Sequence, residues 1–299
     1  MSLVLALGGG GTFSAAKRLG ALVGAQVDRV DMRNFPDGES LVRVPRCAKT
    51  TMLYGSLDHP DEKLVRLLFA AAALRDLGAK RLVLVAPYLC YMRQDMAFHE
   101  GEAVSQRIIG RVLAERFDRV ITVDPHLHRV AKLSAVFPGI EADTLTAAPL
   151  LAEALARDDG PPPLLIGPDA ESRQWVDEVA RRQGLVTMLA EKIRLGDRDV
   201  RIDLPAADRI KGRRVVMVDD VISSGATMIA LARILKRAGA ASVEVMATHN
   251  LSTREAADAL RGTGVVRMRF TDSISRGDDV EDAIALAPLL AESLAKEMR

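Results

Sequence analysis

Two stretches of this chain can be laid over one another without a gap. Leu74-Arg-Asp-Leu-Gly-Ala-Lys-Arg-Leu-Val-Leu-Val-Ala86 aligns with Leu235-Lys-Arg-Ala-Gly-Ala-Ala-Ser-Val-Glu-Val-Met-Ala247, an offset of 161 positions. At that offset Asp58 meets Asp219, and each follows an apolar run. Leu5-Ala-Leu-Gly8 is similar to Leu164-Leu-Ile-Gly167 near the same spacing. The alternative is the generic likeness of one strand–helix unit to another. Duplication fits better, because 299 residues suffice for about two domains. The expected limits are 1–146 and 147–299, joined within Thr144–Pro163, where Asp158-Asp-Gly-Pro-Pro-Pro163 is most loop-like.

Within each copy, short apolar runs alternate with helical patterns. Leu3–Leu7, Met52–Leu57, Leu82–Ala86 and Val120–Val123 read as strands, and Ala103–Arg116 reads as a helix. Leu64, Leu67, Leu68, Ala71 and Leu74 recur at helical spacing. Asp58 is the expected N-cap of that helix and Gly78 its stop. Strands alternating with helices predict an α/β fold: two tandem domains, each a mostly parallel sheet flanked by helices.

The charge balance narrows the partners. Forty-one Lys and Arg face 40 Asp and Glu, a net charge of +1, so no nucleic-acid partner is expected. Aromatics make up only 4%, which weakens any base-stacking platform. Cys47 and Cys90 are far apart and outside any C-x-x-C, which argues against disulfides or a cysteine zinc site. Met1–Leu7 has no basic leader, and the run Leu67–Leu74 is too short for a bilayer. A cytoplasmic protein with no membrane partner is expected.

The most informative segment is Arg214-Val-Val-Met-Val-Asp-Asp-Val-Ile-Ser-Ser-Gly-Ala-Thr-Met228. An apolar strand ends in two acids, a turn of small residues follows, and a helix begins. Such a turn aims backbone N–H groups and a helix N-terminus at a phosphate. Ser223, Ser224 and Thr227 add hydroxyls, while Asp219 and Asp220 suit sugar hydroxyls or hydrated magnesium. The combination points to a phosphorylated sugar.

Asp219-Asp220-Val-Ile-Ser-Ser-Gly-Ala-Thr227 resembles the phosphoribosyl-diphosphate loop of type I phosphoribosyltransferases. Within that superfamily the chain is similar, over nearly its whole length, to the ribose-phosphate diphosphokinase family. Phe35-Pro-Asp-Gly-Glu39 resembles its adenine loop and Pro87-Tyr-Leu-Cys-Tyr-Met-Arg-Gln-Asp95 its ATP-phosphate segment. Gly101–Ser105, Val123-Asp-Pro-His126 and Gly167-Pro-Asp169 follow in family order. The resemblance implies Mg2+-dependent transfer of the diphosphoryl group of ATP to ribose 5-phosphate, by a homo-oligomer (dimer or higher).

The resemblance also assigns roles. Phe35, Asp37, Glu39, Arg93, Gln94 and Asp95 would hold ATP. Asp219, Asp220, Ser223, Ser224, Gly225, Ala226 and Thr227 would hold ribose 5-phosphate. Lys192 and Arg194 would be catalytic; their i, i+2 spacing puts both on one face of a strand, ahead of a polar lid candidate, Leu195–Asp199. His126 and Asp169 would help place Mg2+. Phe35, Asp37 and Glu39 alternate, so they are expected to share a face. His126 and His128 could also suggest a transition metal, but no local third ligand stands out.

Several substitutions depart from the family pattern. Ala226 stands where many members have glycine, which is tolerable only if φ there is negative. Met96-Ala-Phe98 stands where the family often has basic residues after Asp95, and Ser223 stands where many members have a third acid and others have Ser. These changes resemble a shorter, divergent branch. They keep two rivals open: a non-catalytic regulatory paralogue, and a same-fold enzyme using another pentose phosphate or nucleotide donor. The first copy has Ser56-Leu57-Asp58-His59-Pro60 in place of the phosphate turn.

Overall fold

A computed structural model describes residues 2–127, 129–194, 200–204, 207–274 and 283–298. The chain divides into two compact units. The first comprises Met1–Thr146, Asp272–Glu281 and Ala285–Arg299; the second comprises Ala147–Thr271 and Asp282–Ile284. The expected second domain ran to residue 299, whereas the C-terminal helix packs with the first unit.

In the first unit the order is β1 (Leu3–Ala6), α1 (Gly10–Val23), β2 (Gln26–Arg29), β3 (Asp31–Asn34), β4 (Ser40–Arg43) and β5 (Thr50–Tyr54). There follow α2 (Pro60–Asp76), β6 (Arg81–Ala86), α3 (Ser105–Ala114), β7 (Arg119–Val123) and β8 (Glu141–Leu145). Six strands form a parallel sheet in the order β2-β1-β5-β6-β7-β8. Its central strands are continuous apolar runs because both faces are covered. Helix α2 turns Leu64, Leu67, Ala70, Ala71 and Leu74 inward, matching the helical spacing. Asp58 does not cap it. The N-cap is His59, and the Asp58 carboxylate instead accepts from Lys63 Nζ at 2.6 Å.

Helix α4 (Ala148–Ala156) opens the second unit. Next come β9 (Leu164–Gly167), α5 (Arg173–Gln183), β10 (Thr187–Leu189), β11 (Glu191–Arg194), β12 (Val200–Asp203) and β13 (Arg214–Ile222). The unit continues through α6 (Ala226–Arg237), β14 (Ser242–Asn250), α7 (Arg254–Gly262) and β15 (Val265–Phe270). Its parallel sheet runs β10-β9-β13-β14-β15. The offset of 161 recurs between the starts of β1 and β9, β2 and β10, and β6 and β14. Each unit also carries an antiparallel hairpin after its β2 or β10 strand: β3–β4 in the first, β11–β12 in the second.

A second internal repeat emerges from the packing. Ala148-Pro-Leu-Leu-Ala-Glu-Ala-Leu-Ala-Arg-Asp158 matches Ala287-Pro-Leu-Leu-Ala-Glu-Ser-Leu-Ala-Lys-Glu297, and the latter contains α8 (Ala287–Leu294). Helix α4 follows the first unit's strands but packs on α5; α8 follows the second unit's strands but packs on α1. Each copy therefore gives its last helix to the other unit. The acid that ends each segment sits among arginines, Glu297 buried and Asp158 half-buried. Asp158 meets Arg214 at 2.5 Å, Arg267 at 2.9 Å and Arg269 at 2.9 Å. Glu297 meets Arg81 at 2.6 Å and Arg119 at 3.1 Å. Asp158–Pro163, expected to be the most loop-like stretch, is free of helix and strand, and its first residue is a charge hub of the second unit.

Candidate active site

Ligands of open parallel sheets bind beyond the carboxyl ends of the strands, at the point where strand order reverses. In the second unit that point lies between β9 and β13, since β9 is flanked by β10 on one side and β13 on the other. Asp169 follows β9, and Asp219 and Asp220 lie near the carboxyl end of β13. The fold therefore brings these three expected acids to one crevice.

Gly167 makes the turn after β9 possible. A Cβ there would come within 2.3 Å of Ser172 Oγ and 2.6 Å of Leu189 Cδ2. The turn is tied by the Asp169 carboxylate, which accepts from the N–H groups of Glu171 at 3.0 Å and Ser172 at 3.2 Å. Burial, then the negative charges of Asp220 and Asp169, raise Asp219 well above the usual carboxylate range. A group of oxygen donors that repel one another suits a hard cation or sugar hydroxyls.

After β13 the chain turns through Ser223 and Ser224 into α6. Gly225 is the N-cap, at φ 74, a left-handed conformation that favours glycine. Ala226 is the first helical residue and does not have positive φ. The condition for tolerating alanine is met, because the demand for glycine falls one position earlier. Gly225 has no side chain to cap α6; the Ala226 N–H donates to Ser224 Oγ at 3.4 Å, and the N–H groups of the rest of the first turn lie at the positive end of the helix dipole. That is a phosphate-binding geometry, and Ser223, Ser224 and Thr227 surround it.

Lys192 and Arg194 fall on β11, in antiparallel register with Ile202 and Val200 of β12. Their two-residue spacing places both positions on one face of the hairpin. The lid candidate Leu195–Asp199 lies outside the described residues, as does His128.

In the first unit, the expected nucleotide residues lie on loops after β3 and β6, and the expected metal residue His126 lies after β7. Phe35–Glu39 forms the tip of the β3–β4 hairpin, not a strand. Phe35 N–H donates to Glu39 O at 2.8 Å, and Glu39 N–H donates to the Asp37 carboxylate at 3.1 Å. The tip bends because of Pro36-Asp-Gly38, with Gly38 at φ 93. Phe35, Asp37 and Glu39 are therefore gathered by a turn, and not by alternation along a strand. Phe35 is exposed with Arg33 over its ring at 5.4 Å. The hairpin base is held by α2: Arg66 donates to Asn34 Oδ1 at 2.6 Å and to Ser40 Oγ at 3.2 Å.

The segment Arg93–Asp95 has a different exposure at each residue. Arg93 is exposed, Gln94 half-buried, and Asp95 buried. Asp95 accepts from Arg129 Nη1 at 2.9 Å and from Arg129 N–H at 3.3 Å. In this structure its carboxylate thus faces protein, unlike the open guanidinium of Arg93. Gln106, fully buried on α3, donates its side-chain amide to Met92 O at 3.1 Å, and its N–H donates to Gln94 O at 3.3 Å. Sequence reading missed Gln106, Arg129 and Tyr91. The available signal for Gln106 was a polar residue on the stripe that buries Gly110 and Leu113.

Among the described residues, three non-glycine residues have positive φ: His59, Tyr91 and Asp124. They lie on the loops after β5, β6 and β7, three adjacent strands. These loops leave the carboxyl ends of their strands, the edge at which open parallel sheets bind ligands. His126 stands on the third loop. No three His, Cys, Asp or Glu side chains form a metal cage among the described residues.

Two parallel-sheet units, one with a phosphate turn at its switch point, define a tandem phosphoribosyltransferase-type protein. Comparison with known families bears this out. Residues 7–116 match the N-terminal domain of ribose phosphate pyrophosphokinase, and residues 143–283 match the phosphoribosyl transferase domain. A ribose-phosphate pyrophosphokinase of Methanopyrus kandleri is 36% identical, over 93% of this chain and 94% of that protein. One from Saccharolobus solfataricus is 32% identical, over 95% of this chain and all of that protein. The fold matches that of a phosphoribosylpyrophosphate synthetase from Mycobacterium smegmatis, with TM-score 0.81 over 98% of both chains at 23% identity. The chain belongs to the ribose-phosphate pyrophosphokinase family. No described helix is long and apolar enough to cross a membrane.

Proposed function

We propose that this protein transfers the diphosphoryl group of ATP to the C1 hydroxyl of ribose 5-phosphate. The products are 5-phosphoribosyl 1-diphosphate and AMP. The observation that carries this reading is the small-residue turn into α6, with left-handed Gly225 at its N-cap and the Asp219–Asp220 pair just before it. It offers N–H donors for a sugar phosphate and acids for the sugar hydroxyls in one short segment.

In this reading Ser223–Thr227 bind the 5-phosphate, and Asp219 and Asp220 orient the ribose hydroxyls. Phe35, Asp37 and Glu39 receive the adenine, while Arg93 and Gln94 meet the phosphates and ribose of ATP. The C1 oxygen attacks the β-phosphorus, the bond from that phosphorus to the α–β bridging oxygen breaks, and AMP leaves with the oxygen. The hydroxyl proton is lost to solvent. Lys192 and Arg194 balance charge on the group in transfer, where fixed cations lower the barrier most. No enzyme nucleophile is needed.

Asp169, Asp219 and Asp220 of the second unit are hard oxygen donors of the kind hydrated Mg2+ takes, and His126 of the first unit is kept as a separate candidate that would act on the ion's waters, since Mg2+ seldom takes imidazole directly. Bound Mg2+ would neutralise the triphosphate. We further place the protein in the cytoplasm, as a homo-oligomer of two or more copies. Light scattering tests the oligomer. The reaction is tested by incubating the protein with ATP, Mg2+ and ribose 5-phosphate and measuring both products. Equal yields of AMP and phosphoribosyl diphosphate are expected. Absence of both, with Mg2+ or Mn2+, would overturn the reading.

A further inference from the structure

The segment Met92–Asp95 is fastened from below at successive points. Gln106 holds Met92 O and Gln94 O, and Arg129 holds the Asp95 carboxylate. The residue left to project outward is Arg93. The two anchors come from different places: Gln106 from α3, and Arg129 from the loop after β7, three residues beyond His126.

The Asp95–Arg129 pair is asymmetric. The Asp95 side chain is 2% exposed, whereas that of Arg129 is 56% exposed. A buried carboxylate needs a cation and N–H donors, and here both come from one residue, Arg129. If the loop after β7 moved away, Asp95 would lose both together. Arg129 is steadied in turn by the exposed ring of Phe98, 5.7 Å from its guanidinium carbon. Phe98 lies three residues past Asp95, so the arginine is gripped on two sides by the same stretch of chain.

We propose that Asp95 and Arg129 form a latch that holds the His126 loop against the Arg93–Gln94 segment and so positions both for the nucleotide. This rests on the diphosphokinase reading given above. Asp95 then acts through Arg129, and neither need touch ATP. Their replacement is felt as misplacement of Arg93, Gln94 and His126, and a shift of about 1 Å in such groups has large effects on a reaction that depends on positioning.

The test is a double-mutant cycle of Asp95→Asn, which keeps the shape and removes the charge, and Arg129→Gln, which shortens the side chain and removes the guanidinium. Michaelis constants for ATP and ribose 5-phosphate are measured, with amide hydrogen exchange over residues 92–98 and 124–130. Each single variant and the double variant should raise the ATP constant by the same factor, about tenfold, because all three break one latch. The turnover number and the ribose 5-phosphate constant should change far less. Exchange should quicken in both segments, and Arg129→Lys should recover much of the ATP constant. Factors that multiply in the double variant would overturn the latch, as they mean independent action. A folded Arg129→Gln variant with wild-type ATP constant and wild-type exchange would also overturn it. If the wild type forms no AMP, the diphosphokinase reading fails, while the exchange measurements still decide whether the two segments are coupled.

Discussion

Glu297 and Asp158 occupy matching positions of one repeated segment, and each is the acid that fastens an exchanged helix. Glu297 closes the segment containing α8 and pairs with Arg81 and Arg119 in the first unit. Asp158 closes the segment containing α4 and pairs with Arg214, Arg267 and Arg269 in the second. The arginines do not correspond one to one between the copies, so the anchoring acid survived while its cationic neighbours diverged. Both acids are held below the usual carboxylate range. Burial pushes each upward, and hydrogen bonds from Arg81 and Arg119, or from Arg214 and Arg269, outweigh it.

Acid should therefore loosen the first unit through Glu297. A carboxyl lowered by folding contributes stability that is full above its unfolded value, near pH 4.5, and lost as pH falls through the folded value. Glu141 joins the same network and is held down to about 2 by Lys296 and Arg81. Glu297→Gln should destabilise by about 3 kcal/mol at pH 7, since it leaves Arg119 buried with less compensation. Denaturant unfolding at a series of pH values should show that difference narrowing below pH 4. A gap that stays constant down to pH 2.5 would contradict the assignment.

Gly225 and Ala226 should each lose by taking the other's side chain, for different reasons. Gly225→Ala places a Cβ at φ 74, where the nearest atom, Ala256 Cβ, is 3.8 Å away. Space is adequate, so the cost is backbone strain of about 1 kcal/mol. It falls on the phosphate turn, and the ribose 5-phosphate Michaelis constant should rise several-fold. Ala226→Gly lies within the first turn of α6 and should not improve activity; it should lower stability by up to about 1 kcal/mol. Kinetics and melting of the two variants decide this. Improved turnover in Ala226→Gly would show that alanine is a handicap after all.

Much of this fold was legible because parallel strands are written as plain apolar runs. Leu82–Ala86 and Val120–Val123 fall within β6 and β7. The acid pair and small-residue turn of 219–227 also announced themselves, since few other structures need that order of residues. What stayed hidden depends on contacts distant in sequence. Asp158 looked like part of a linker because its partners at 214, 267 and 269 are far along the chain. At Asp95, nothing local reveals that Arg129 will pair with its carboxylate. Phe35, Asp37 and Glu39 looked like an alternating strand, although Pro36-Asp-Gly38 already carried a turn signal.

Lys192 and Arg194 should be separable from the binding residues by kinetics. If they act chiefly on the group in transfer, Lys192→Ala should lower the turnover number roughly 100- to 1,000-fold, with little change in either Michaelis constant. Arg194→Ala should behave similarly. Calorimetric binding of a non-hydrolysable ATP analogue should remain near wild type in both. Full turnover in Lys192→Ala would remove it from the mechanism, and weakened analogue binding alone would make it a ground-state contact.

Gly167 offers the sharpest structural test of the crevice between β9 and β13. An added methyl would meet Ser172 Oγ at 2.3 Å, Leu189 Cδ2 at 2.6 Å and Val176 Cγ2 at 3.1 Å. Ser172 and Leu189 must both yield, and Ser172 is completely buried. Ser172 Oγ donates to Asp169 O at 2.7 Å, so its displacement drags the turn that presents the Asp169 carboxylate. Gly167→Ala should cost about 1–3 kcal/mol by overpacking. It should also raise the Mg2+ concentration needed for half-maximal rate, if Asp169 helps place the ion. A Gly167→Ala, Ser172→Ala double variant relieves the nearest clash and should regain part of the stability. It should not regain the Mg2+ response, because the hydroxyl that ties the Asp169 turn is gone. Recovery of both together would mean that the clash acts on stability alone and that Ser172 has no part in holding Asp169.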